Sequence, residues 1–151
     1  MNPVEIEEAV SSLAEEPFDA AEFPFQFLRA FDNKETTIRL LKSGKSNTSD
    51  LPGGVLQRSN IHIATCGQGE VDATLAALRD SPKTVAAKAK FILATDGESF
   101  QAEDLNGGGT LACSYPEFPD HFGFFLQLAG ITTVAEIREN AFDVKATGRL
   151  N

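Results

Sequence analysis

Two short apolar runs dominate the hydrophobic pattern. They are Leu51–Cys66 (LPGGVLQRSNIHIATC) and Lys90–Asp96 (KFILATD), each rich in Ile, Val, Phe, Leu and Thr and bounded by Gly, Pro, Asn or Asp. That composition predicts central strands. Between them Val71, Leu75 and Leu78 recur at helical spacing, so the order is strand, helix, strand. Such a unit normally closes as a right-handed crossover with its strands parallel.

The flanks read as cover for this unit. Asn2-Pro3 with Glu5 predicts a helix start, because Asn caps, Pro fits the first helical position and Glu suits the helix dipole. That helix is expected to run to about Glu16 with Val4, Ala9, Val10 and Leu13 as its apolar stripe and a solvated face of Glu5, Glu7, Glu8, Glu15 and Glu16. Pro17 stops it, Asp19 is placed to cap the next, and Phe23, Phe27, Leu28 and Phe31 recur at helical spacing as core. A third short helix is expected from Asn33 to Leu41, with Ile38, Leu40 and Leu41 apolar and Gly44 as its stop. Gly44-Lys45-Ser46 looks like the end of a phosphate loop, but Arg39 stands where its first Gly belongs and no strand precedes it, so a polar loop is expected.

Beyond the crossover, Glu98–Leu105 alternates apolar and polar residues, and Asn106-Gly107-Gly108-Gly109 turns it into Thr110–Tyr115. An antiparallel hairpin added to the sheet is the expectation. Past Pro116 and Pro119 the period is helical again through DHFGFFLQLAG, and Thr133-x-x-Glu136 is a capping box opening VAEIRENAF. Asp143 caps a last, short VKATGRLN segment without a completed apolar face, so the chain reads as the N-terminal portion of something longer.

Composition narrows the function classes. At 151 residues and 42% hydrophobic content the chain suits one domain with a real core, with no run approaching the ~20 apolar residues of a membrane span and no secretory signal at its acidic N-terminus. A cytoplasmic location is the expectation. Cys66 and Cys113 sit in apolar runs as reduced thiols, and His62 and His121 are isolated, which favours structural over catalytic roles. The formal charge of −9 opposes nucleic-acid binding by the chain as a whole. Local basic loops are the exception, with Lys42, Lys45 and Arg58 the candidates for DNA contact.

The order SDL, PGG, NIHIATC, helix, KFILATDGESFQAEDL, then FGFFLQLAGI and FDVKATGRLN, resembles the N-terminal domain of the MmeI-type (type IIL) enzymes, over roughly Phe25 to Asn151. Those single chains combine a restriction nuclease with an adenine-N6 DNA methyltransferase. The resemblance implies a PD-(D/E)xK, restriction-endonuclease-like core: mixed α/β, a mixed sheet of about four to five strands flanked by helices. It divides the chain into a helical lead-in (1–46), a sheet core (47–115) and a helical region (116–151) leading to the next domain. The implied partners are the downstream helical and methyltransferase domains of the same polypeptide, and DNA through the parent enzyme, with S-adenosylmethionine bound in the parent and no cofactor in this chain.

A nuclease of that kind needs an Asp and, on the next strand, Glu-x-Lys, so that carboxylates hold Mg²⁺ and the Lys positions the attacking water. The resemblance places Asp50 at the first position, but the second strand reads Ala64-Thr65-Cys66. Neither Ala64 nor a neutral Cys66 replaces a metal-binding carboxylate or a cationic amine, so the motif is degenerate. A shifted site would instead draw on Asp96 with Glu98, or Glu103 with Asp104, and only that arrangement would call for Mg²⁺; the simpler account of these acids is a solvated turn and strand. The leading expectation is a non-catalytic, nuclease-like interaction domain of a DNA adenine methyltransferase or restriction-modification, phage-defence enzyme. The alternatives are a free-standing acidic protein that mimics DNA and a metal-dependent endonuclease with a shifted site.

Overall fold

The computed structural model describes residues 2–130. Asn2 opens helix α1 (Pro3–Glu15) through a full capping box: its side chain accepts the Glu5 amide while the Glu5 carboxylate accepts the Asn2 amide, both at 2.9 Å. The buried stripe is Pro3, Ile6, Val10 and Leu13, and Val4 faces out at 51% exposure. Val10 and Leu13 are buried as expected and Ala9 packs on the core, but Ile6 takes the place expected of Val4. Asp19 accepts the amides of Ala21 and Glu22 in the turn before α2 (Phe23–Ala30), and α3 (Glu35–Lys42) buries Ile38 and Leu41 while Leu40 points outward.

Leu51–Cys66 is not one strand but a hairpin, β1 (Gly54–Gln57) and β2 (Ile61–Thr65), paired antiparallel with Gly54 opposite Ala64. Arg58-Ser59-Asn60 turns between them; Ser59 takes φ 66° and the Asn60 amide donates to Gln57 O. Four consecutive polar residues, Gln57 to Asn60, break the run. After β2 the crossover contains two helices, α4 (Val71–Asp80) and α5 (Pro82–Ala86), because Pro82 ends the first and the Ser81 hydroxyl caps the second through Lys83 N. The crossover returns to β3 (Phe91–Thr95), which lies parallel to β2 as expected. The predicted hairpin follows as β4 (Ser99–Asp104) and β5 (Thr110–Ser114), giving a mixed five-stranded sheet in the order β1-β2-β3-β4-β5.

Helices cover both faces. Ile61, Ile63, Phe91, Leu93 and Phe100 share the larger core with α1, α2, α3 and a long 3₁₀ segment (Tyr115–Ala129), while Ala64, Ile92 and Ala94 pack against Val71, Leu75 and Leu78 of α4. The 3₁₀ segment replaces the α-helix that the period suggests. Pro119 inside it cannot donate, and the backbone kinks at His121. Phenylalanines fill the larger core: Phe100 stacks on Phe118 at 4.6 Å, and Phe27 sits within 6.5 Å of Phe23, Phe31, Phe100, Phe118 and Phe125. Each buried ring contributes roughly 1.5–3 kcal/mol, so this cluster anchors the sheet to its helices. The capping box at Thr133 and the segment from Asp143 lie outside the described residues.

Candidate functional site

The carboxyl end of β2 opens into a cleft of about 410 Å³ between α4 and the segment leading into β1, lined by Leu51, Pro52, Ala64, Cys66, Glu70 and Thr74 among others. Two glycines press its wall together. A Cβ on Gly54 would stand 2.2 Å from Ser49 Oγ, and one on Gly53, at φ 71°, would stand 3.2 Å from Thr65 O. Residues 49–52 are thereby held against the sheet. Cys66 Sγ sits 3.7 Å from Thr95 O as a free thiol. Burial raises its pKa, with Asp96 and Glu70 adding to the effect and a Thr74 hydrogen bond opposing it. It is a neutral thiol near pH 7, neither nucleophile nor ready ligand.

The candidate acids are held apart and engaged. Asp96 accepts the amides of Ser99, Glu98 and Gly69 at 2.7–2.9 Å; desolvation alone would raise its pKa, but these bonds outweigh it and hold the carboxyl below its ordinary value. Asp50 accepts from Ser81 Oγ at 2.8 Å. Gly69 and Ser81 lie at opposite ends of α4, whose 10 residues span about 15 Å, so one cation does not bridge Asp50 and Asp96. Glu98 accepts from Gln68, Glu103 pairs with Arg79, and Asp104 accepts the amides of Asn106 and Gly107. Among the described residues no three His, Cys, Asp or Glu side chains gather as a metal site.

His62 is fully buried in β2, with Nε2 2.7 Å from Ser49 Oγ and Nδ1 2.8 Å from Thr84 Oγ1. Thr84 Oγ1 already donates to Leu78 O, so it must accept from Nδ1–H, which leaves Nε2 to accept the Ser49 hydroxyl proton. The Ser49 oxygen also accepts the Leu51 amide. This relay fastens the chain before β1 to α5. Burial lowers the His62 pKa to about 4, against the opposing pull of Asp50. His121 is exposed at the kink of the 3₁₀ segment.

Of the basic candidates, Lys42 pairs with Glu22 at 2.7 Å and lies over the Phe25 ring, Lys45 is exposed past α3, and Arg58 is exposed in the β1–β2 turn. A further feature has no distinctive sequence signal. Gly67-Gln68-Gly69, between β2 and α4, is the kind of turn that offers amides to an anion. Here the Glu70 carboxylate takes the Gly67 amide and Asp96 takes that of Gly69. The chain's own acids occupy the cradle, so this turn does not suit the carboxylate of S-adenosylmethionine.

Residues 1–151 match the family described as MmeI, N-terminal domain. The chain belongs to that family. This MmeI N-terminal domain is also 26% identical over 146 residues to DNA methyltransferase A of Bacillus subtilis (strain 168), covering 97% of the chain but 16% of the relative. It thus spans about a sixth of the length of the curated relative it matches. No solved structure matches. The mixed five-stranded sheet flanked by helices is the architecture expected from the sequence.

Proposed function

We propose that this domain is a non-catalytic, nuclease-like N-terminal module of a longer protein that transfers methyl groups from S-adenosylmethionine to adenine N6 in DNA, as part of a restriction-modification or phage-defence enzyme in the cytoplasm. The relative's description as a DNA methyltransferase, and the small share of it that the domain covers, support the parent activity. The observation that carries the non-catalytic reading is the cleft at the end of β2: Ala64 and a neutral Cys66 line it, and the nearby acids are bound to amides, a hydroxyl or a glutamine. Two-carboxylate metal catalysis needs acids converging on one ion with a cationic amine beside them. The domain's work is then to pack on the helical and methyltransferase domains that follow, with S-adenosylmethionine held downstream.

The test uses the full-length protein, plasmid DNA, labelled S-adenosylmethionine and either Mg²⁺ or Mn²⁺. Label should enter DNA while the plasmid stays uncut, and Asp50→Ala should leave methyl transfer unchanged. Cleavage that disappears in Asp50→Ala overturns the non-catalytic reading; absence of methyl transfer overturns the parent activity.

A further inference from the structure

We propose that this domain meets the phosphate backbone of duplex DNA at the end of the sheet opposite the cleft, through Arg58, Lys83, Lys88 and Lys90. The inference rests on the parent acting on DNA. Strand register puts the β1–β2 turn and the start of β3 at one end, since Gln57 pairs with Ile61 and Ile61 with Phe91. Backbone bonds then draw three segments together. Ser59 N donates to Ala87 O at 2.8 Å, Lys90 N donates to Asn60 O at 2.7 Å, and Ala87 N donates to Lys83 O one helical turn back. Arg58 and Lys88 each adjoin one partner of the Ser59–Ala87 bond. Four cations from a hairpin turn, a helix and a loop therefore share one small surface, and none of them makes an ion pair among the described residues.

Of the acids at this end Glu103 is neutralised by Arg79, Asp104 is folded into the β4–β5 turn and Asp50 accepts from Ser81, while Asp80 is exposed at the end of α4. Glu70, Asp96 and Glu98 stand at the opposite end, beside the cleft. Lys88 adopts φ 58°, so a replacement there has to tolerate positive φ. The exposed large apolar residues among those described are Val4, Leu40, Val85 and Leu105, none aromatic. A single strand would want stacking platforms, whereas point charges alone suit the backbone of a duplex.

The test measures binding of the full-length protein to a labelled duplex of about 30 base pairs between about 50 and 200 mM salt. The variant combines Arg58→Gln, Lys83→Gln, Lys88→Asn and Lys90→Gln, with Asn chosen because it tolerates positive φ. Every phosphate that goes unneutralised lowers the slope of log K against log salt by about 0.9, so the slope should fall by about three to four and affinity at low salt at least tenfold. Lys83→Gln alone, on the exposed face of α5, should lower the slope by about one without disturbing the fold. A control of Lys34→Gln, Arg39→Gln and Lys45→Gln should leave the slope in place. The inference is overturned by an unchanged slope in both test variants, or by an equal fall in the control, which would mean that charge and not place decides. Methyl transfer by the wild-type preparation is read separately: its absence sinks the parent activity, while the slope comparison still judges this surface.

Discussion

His62 makes the domain acid-labile in a way that can be separated from its carboxylates. The folded state holds the ring neutral, with a pKa of about 4, between two hydroxyls and out of water. The unfolded chain exposes it at its ordinary 6.5. Between these values the unfolded state binds a proton that the folded state does not, so stability falls as pH drops from about 6.5 to about 4 and this group's contribution levels off below. At about 1.4 kcal/mol per pH unit the loss is about 3 kcal/mol, a large part of the ~5–15 kcal/mol that holds a typical domain together. Urea midpoints at pH 7, 6, 5 and 4, compared between wild type and His62→Gln, measure it. Gln keeps hydrogen-bonding capacity toward Ser49 and Thr84 but does not titrate. It lowers stability at pH 7 yet should flatten the decline from pH 6.5 to 4. Asp96, whose lowered pKa also loses stability in acid, contributes equally to both curves and cancels. Parallel curves for the two proteins would refute the reasoning.

Two further perturbations probe the frame around the cleft. Gly54→Ala forces a methyl group to within 2.2 Å of Ser49 Oγ and 3.0 Å of Leu51 O, so it should destabilise by about 1–3 kcal/mol in urea; a change under about 0.5 kcal/mol would show that residues 49–51 are free to shift. Asn47→Ala removes a side-chain amide that pairs with β1 as a neighbouring strand would, donating to Gly54 O at 3.1 Å and accepting Leu56 N at 2.9 Å. The expected cost is about 1–3 kcal/mol together with concentration-dependent association through the uncovered edge, read by sedimentation; a variant that stays monomeric at wild-type stability would show that this edge needs no cover.

The crossover and the hairpin were legible because their signals are local. Val71, Leu75 and Leu78 mark one helix face, and Asn106-Gly107-Gly108-Gly109 leaves the chain no regular alternative to a turn. The division of Leu51–Cys66 was not, because Val55, Leu56, Ile61 and Ile63 are all apolar and only the polar Arg58-Ser59-Asn60 marks the bend. In α1 Val10 and Leu13 were legible, but Val4 stood in for Ile6 because the two are equally apolar, and which one is buried depends on where α2 and the 3₁₀ segment press. A single crossover helix was the expectation; Pro82 divides it in two, with Ser81 bonded to both Lys83 N and Asp50.

The site was the harder reading, because an acid's place in sequence does not reveal what its oxygens already hold. Asp96, Glu98, Glu103 and Asp104 look alike on paper: acidic residues at the ends of one strand. In the fold they are a turn clasp, a loop tie, an ion pair and a second turn clasp. A carboxylate bound to amides is fixed in place, and drawing it toward a shared cation would disturb the turn it closes. Glu5, Asp19, Asp96 and Asp104 are likewise turned toward their own backbone. Bases tell the opposite story. Arg58, Lys83, Lys88 and Lys90 are scattered over thirty-three positions of sequence and become neighbours only through the pairing of β2 with β3, so a surface of this kind is visible in the folded chain and not in its charge sum.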